Sequence, residues 1–188
     1  MKKILWFRRD LRVEDSMLLS LEGEVLPIFI FDKNILEKLD KNDARVPFIY
    51  HHVLKLKHDL CSLGLDLAIF YSTPLDVFSA LKKRGFDEVY ASVDYDAYAR
   101  QRDADVGEIL SFHALNDCYM FEPNEVLKSD GTPYLVFTPY YNASKQIYTK
   151  FHALSYVKGK QSLASFDFPL PPTLENMGFL DLHVKPIP

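Results

Sequence analysis

Short apolar runs alternate with stretches of helical spacing over the first 121 residues. Residues 2–7, 24–32, 66–71 and 87–93 are apolar runs bounded by polar turns, and 117–121 is a shorter fifth. Runs of this kind predict strands covered on both faces. Between them, Val46, Ile49, Val53, Leu56, Leu60 and Leu63 recur by three and four and predict one long amphipathic helix. Pro47 fits only in the first turn of that helix, and Gly64 suits its carboxyl end. Thr73-Pro74 reads as an N-cap followed by proline at the first helical position, and Gly85 closes that helix. A short helix is expected over 15–21. A third long one is expected over 98–113, with Val106, Ile109, Leu110 and His113 on one side.

Strand alternating with helix predicts an α/β fold: a doubly wound, Rossmann-like, five-stranded parallel sheet with right-handed crossovers. Ligands in such sheets bind beyond the carboxyl ends of the strands, where the strand order reverses. Three loops therefore stand out, over residues 8–14, 32–45 and 94–98.

After about residue 121 the pattern changes. Residues 124–128 suit one helical turn, 131–134 a turn, and 139–151 a helix carrying Tyr140, Tyr141 and Tyr148. From Val157 onward Gly, Ser and Pro dominate, including Pro169, Pro171, Pro172, Pro186 and Pro188, which predicts an extended linker. The expected division is 1–130 for the α/β domain and 131–188 for an interdomain segment and linker.

Composition narrows the function classes. The formal net charge of −4 offers no excess of cations to a phosphate backbone, so these residues alone are expected to bind DNA poorly. The first apolar run is too short for a signal-peptide core, and no stretch is long enough to span a membrane. Cys61 and Cys118 lie far apart, without metal-ligand spacing, as expected of structural thiols in a reducing cytoplasm. His51, His52 and His58 have no carboxylate or thiol at a spacing that would make them a metal set. The loop after the first strand has no glycine, which excludes a GxGxxG dinucleotide site and a P-loop there.

Several residues have two readings. Arg8, Arg9 and Arg12 suit an anionic or hydrogen-bonding ligand, or they pair with Asp10, Glu14 and Asp15 to fix their own loop. Asp32 and Arg45 flank a connection long enough to be functional, or simply solvated. Phe31 is a core residue or the floor of a pocket. Asp94 and Asp96 accept hydrogen bonds from a heterocycle or cap the helix that begins at Tyr98. Arg100, Arg102, Asp103 and Asp105 read as paired charges on a solvated helix face.

Three segments carry a resemblance. Trp6-Phe7-Arg8-Arg9-Asp10-Leu11-Arg12 resembles the opening signature of DNA photolyases and cryptochromes, with Ser16 in place of the usual asparagine. Residues 94–103, with an R-x-R-D group at Arg100 to Asp103, resemble the family's stretch after the fourth strand. Residues 131–140 resemble its G-x-x-Y-x-V-F-T-P-[FY] segment.

The resemblance implies the amino-terminal antenna domain of a deoxyribodipyrimidine photolyase, which repairs cyclobutane pyrimidine dimers in DNA by light. The corresponding domain of a cryptochrome photoreceptor and a stand-alone nucleotide-binding module are the alternatives. It implies a helical FAD-binding domain as partner, contact with damaged DNA through that domain, and a chain that stops before it, as when cut from a longer protein. These residues alone are then expected to lack repair activity. In the family's folate-binding branch an Asn-Glu pair begins the helix after the fourth strand. Tyr98 and Ala99 stand there instead, which argues against folate. In the branch that binds a flavin or deazaflavin inside the α/β domain, the matching positions are Arg9 (or Arg8), Phe31, Asp32, Arg45 and Asp94, with Tyr98 beside them.

Overall fold

The computed structural model describes residues 2–149 and 154–182. Phe151, the expected end of the last helix, and Pro186 and Pro188 of the expected linker lie outside the described residues. The first strand, β1, spans Lys2–Phe7 and is followed by α1 (Met17–Ser20), β2 (Gly23–Asp32), α2 (Lys33–Leu36) and α3 (Arg45–Ser62). Then come β3 (Ala68–Ser72), α4 (Pro74–Lys83), β4 (Glu88–Ser92), α5 (Ala97–Gly107), β5 (Ser111–Leu115), α6 (Phe137–Ile147) and β6 (Gln161–Leu163).

The strands pair in the order β3-β2-β1-β4-β5, all parallel, so the order reverses between β1 and β4. Successive side chains of β1 and β2 point to opposite faces, and both faces are covered. Leu5, Phe7, Phe29 and Phe31 pack with Val53, Leu56 and Leu60 of α3. Ile4, Trp6, Ile28 and Ile30 pack with Val77, Phe78 and Leu81 of α4 and Val106 of α5.

The helix ends follow local chemistry. Pro47 lies in the first turn of α3, and Gly64 and Gly85 take positive φ just past α3 and α4. Thr73 caps α4 by accepting from the Asp76 N–H. Two expectations are corrected. The helix expected to run to His113 ends at Gly107, and the fifth strand is Ser111–Leu115, not 117–121. Val106 and Leu110 are both buried and continue the helical spacing through the turn, which hides the start of the strand. Pairing of Ser111–Leu115 along the free edge of β4 outweighs that local pattern.

The segment expected to be an extended linker supplies a sixth strand. β6 pairs with Gly23–Val25 of β2, on the side where β3 takes Ile28–Asp32. Pro27, which has no N–H for a ladder, falls between these two stretches. The chain then places Phe166 and Phe168 against one core face and buries Leu174, Met177 and Phe179 in the other. Gly159 makes the entry to β6 possible: its N–H donates to Leu19 O at 2.9 Å, and a Cβ there would lie 2.5 Å from Ser20 O. Gly159→Ala is expected to cost about 1–3 kcal/mol, as overpacking does, and to raise protease cleavage around residue 160. An unchanged urea midpoint and an unchanged digest would count against it.

Candidate functional site

A cleft of about 220 Å³ opens beyond the carboxyl ends of β1, β2 and β4, at the reversal of strand order. Its apolar wall is Phe29, Phe31, Ile35, Leu36, Val46 and Ile49. Its polar rim is Arg9, Asp32, Asp94, Asp96 and Tyr98, with Trp6, Arg8 and Arg102 at the inner end of β1 and on α5. Ile35 and Ile49 are 43% and 38% exposed, so the protein's own side chains leave the apolar wall partly uncovered.

The rim is organised by pairs between distant parts of the chain. Arg9 Nε donates to Asp94 at 2.9 Å and its Nη2 to Asp96 at 3.3 Å. Asp94 is buried, whereas Asp96 caps α5 by accepting from the Ala99 N–H at 2.8 Å. Direct hydrogen bonding from that N–H holds the Asp96 carboxyl below its ordinary range. The buried Asp32 carboxylate accepts from the Asn34 N–H at 3.0 Å, which caps α2, and from the Tyr98 hydroxyl across the cleft. Burial, then the bond to Asp32, push the Tyr98 phenol above its ordinary value.

Beneath the rim Arg8 is nearly enclosed, its side chain 7% exposed. It donates to Asp103 at 2.6 Å and to the Ser92 carbonyl. Burial lowers its pKa, against the pull of Asp103. Asp103 also accepts from Arg102 at 3.0 Å, and both guanidinium groups lie over the Trp6 ring, at 4.7 and 4.8 Å from its centroid. Asp10 is buried as well and accepts from the Ser92 hydroxyl. Arg12 reaches Asp117 at 2.8 Å. The three arginines of the first loop thus form their ion pairs with acids far along the chain, while Arg12 also fixes its own loop by donating to the Asp15 carbonyl at 2.9 Å. Ser16 is buried, with no hydrogen-bond partner for its hydroxyl among the described residues.

Arg8, Arg9, Phe31, Asp32, Asp94 and Tyr98 all meet at the cleft. Arg45 does not line it: its guanidinium is exposed and paired with Asp43, whose carboxyl it lowers to about 2. Sequence reasoning missed Trp6, Ile35, Ile49 and Arg102. Ile49 belonged to the helical stripe and read as core. Arg102 read as part of a solvated face, and the structure corrects this: its side chain is 10% exposed and lies between Trp6 and Tyr98.

A model of the DNA photolyase family matches residues 3–158. The chain belongs to the DNA photolyase family. Among curated relatives, the deoxyribodipyrimidine photo-lyase of Alkalihalophilus pseudofirmus is 35% identical over 153 residues, covering 75% of this chain and 32% of that protein. Cryptochrome-2 of Arabidopsis thaliana is 29% identical over 150 residues, covering 74% of this chain and 24% of that protein. The chain therefore spans a third or less of the length of these relatives.

Among solved structures, a class III photolyase from Agrobacterium tumefaciens superposes with a TM-score of 0.75 at 23% identity, over 93% of this chain and 37% of that one. An archaeal photolyase from Sulfolobus tokodaii, described with two FAD molecules and an implied novel light-harvesting cofactor, gives 0.68 at 24% identity, over 87% and 39%. Both share this fold. The relatives include deoxyribodipyrimidine photo-lyases and cryptochromes alike, so the family is the photolyase and cryptochrome family, and this chain corresponds to its amino-terminal domain. No helix among the described residues is long and apolar enough to cross a membrane.

Proposed function

We propose that this chain is a chromophore-binding antenna domain, and that a flavin or deazaflavin ring lies in the cleft at the ends of β1, β2 and β4. The observation that carries the reading is the pairing of an apolar wall left partly uncovered at Ile35 and Ile49 with an acceptor-rich rim. Phe31, Ile35, Leu36, Val46 and Ile49 suit the face of a planar ring. Asp32 and Asp94 suit ring N–H or hydroxyl donors, and Arg9 suits a ring carbonyl. Such a chromophore, when bound, absorbs near-UV or blue light and passes the energy on. The protein's part is to bind the ring, fix its orientation and keep water from its inner face.

The photolyase from Sulfolobus tokodaii, with its two FAD molecules, lends support by analogy of fold. In the full-length protein the partner would be a helical FAD-binding domain, and light-driven repair of damaged DNA would proceed there. A cryptochrome domain is the alternative, favoured by the similarity to Cryptochrome-2. Folate is disfavoured at this position, because Ala99 is buried and its N–H is already held by Asp96.

The test is a fluorescence titration of the purified chain with riboflavin, FMN and a deazaflavin, beside a folate control. Saturable binding of the flavin-type rings alone is expected. Asp94→Ala is expected to weaken it about tenfold or more, the effect of losing a charge-assisted hydrogen bond. Arg45→Ala, outside the cleft, is expected to change it far less. Equal losses in both variants, or binding of folate only, would sink the proposal.

A further inference from the structure

Resting on the reading that a flavin-type ring occupies the cleft, we infer that Tyr98 and Asp32 form a light-driven electron and proton donor pair toward that ring. Two readily oxidised side chains line the cleft, Trp6 and Tyr98, and their surroundings are opposite in kind.

Trp6 is buried, with the guanidinium groups of Arg8 and Arg102 over its ring at 4.7 and 4.8 Å. Cations stabilise the electron-rich ring, and they oppose the positive hole that electron loss would leave on the indole. Trp6 is therefore a poor donor, despite its place in the cleft.

Tyr98 has the complementary arrangement. A phenol that loses an electron must also lose its proton, and the Tyr98 hydroxyl already donates to the buried carboxylate of Asp32. Asn34 Nδ2 donates to the phenol oxygen at 3.3 Å and steadies it. The Asn34 N–H occupies Oδ1 of Asp32, so Oδ2 is the oxygen that receives the proton. The products at the two side chains are a neutral tyrosyl radical and a neutral carboxylic acid. Arg102, 5.7 Å from the Tyr98 ring, has no new positive charge on the phenol to oppose.

The step balances. One electron passes from Tyr98 to the photoexcited oxidised ring and one proton passes from Tyr98 to Asp32. The reverse transfers restore every group, and no external reductant is consumed. This route competes with onward transfer of excitation. It sets the time within which energy must leave the cleft to be useful elsewhere.

The experiment measures the fluorescence lifetime of riboflavin bound at saturation to the full 188-residue chain, with affinity determined separately for each variant. Tyr98→Phe, which keeps the ring and removes the proton, is expected to lengthen the lifetime several-fold. Trp6→Phe is expected to change it far less. Deuterium oxide is expected to lengthen the lifetime of the wild-type chain and not of Tyr98→Phe, and transient absorption should show a tyrosyl radical in the wild type only. Bound riboflavin whose lifetime is indifferent to Tyr98→Phe, or more sensitive to Trp6→Phe, would overturn this inference alone. Failure of riboflavin to bind the wild-type chain would overturn this inference, and failure of FMN and the deazaflavin as well would overturn the cleft reading with it.

Discussion

Asp103→Ala is expected to cost the domain about 3–5 kcal/mol, the range seen when one partner of a buried ion pair is removed. The substitution leaves the Arg8 guanidinium enclosed, with the Ser92 carbonyl as its remaining acceptor among the described residues and Arg102 as a nearby like charge. The penalty arises from the unpaired buried cation more than from the lost attraction, because taking a charge out of water is costly unless a counter-charge accompanies it. A double-mutant comparison separates these contributions. Arg8→Met with Asp103→Leu retains apolar volume and leaves only Arg102 without its carboxylate, whereas Asp103→Ala strands both guanidinium groups, so the double variant should be less destabilised in urea unfolding. If Asp103→Ala unfolds at the wild-type midpoint, the pair does not hold β1 to α5. Because Arg102 shares the same carboxylate and lies over Trp6, the single variant should also loosen the inner end of the cleft and weaken flavin binding.

This interaction also marks how far the sequence could be read. Features that depend on neighbours in the chain were legible. Thr73-Pro74, Pro47, Gly64 and Gly85 set helix ends through local backbone geometry, and the first four strands show themselves as apolar runs. The loops at the reversal of strand order were legible from topology, and six of the seven expected site residues converge there, as Arg8, Arg9, Phe31, Asp32, Asp94 and Tyr98. What stayed hidden depends on partners far away in sequence. Arg8 pairs with a residue 95 positions later, and Tyr98 reaches back 66 positions to Asp32. No local spacing distinguishes Asp103 from a solvated helix charge. Arg45 shows the converse: it opens the long helix, close to where the resemblance suggests, yet Asp43, two positions earlier, holds it at the surface. The segment after Gly159 was hidden for a different reason. Its anchors are few and separated by prolines, so neither helical nor strand periodicity registers, and burial depends on a sheet edge formed by residues more than a hundred positions earlier.

Ending the chain after Lys160 is therefore expected to remove most of the domain's stability, although the sequence alone suggests an extended linker. The truncation strips β6 from β2 and leaves the Val25 carbonyl without the Ala164 N–H that donates to it at 2.8 Å. It also removes Leu174, Met177 and Phe179 from the core face they share with α3. Truncating one such side chain to alanine costs about 2–5 kcal/mol. A domain has only about 5–15 kcal/mol in total, so losing three anchors and a strand approaches the whole, even if the effects do not add. The graded series is Phe179→Ala, then Met177→Ala with Phe179→Ala, then the truncation, each followed by urea unfolding; an unchanged midpoint across it would show the segment to be a passive linker. The same series has a consequence at the cleft. The Leu180 N–H donates to Lys41 O at 3.0 Å, in the connection between α2 and α3, and Ile35, Leu36, Val46 and Ile49 of the apolar wall lie on those two helices. Variants that release the segment but remain folded should bind flavin more weakly, although no described residue after Lys160 lines the cleft.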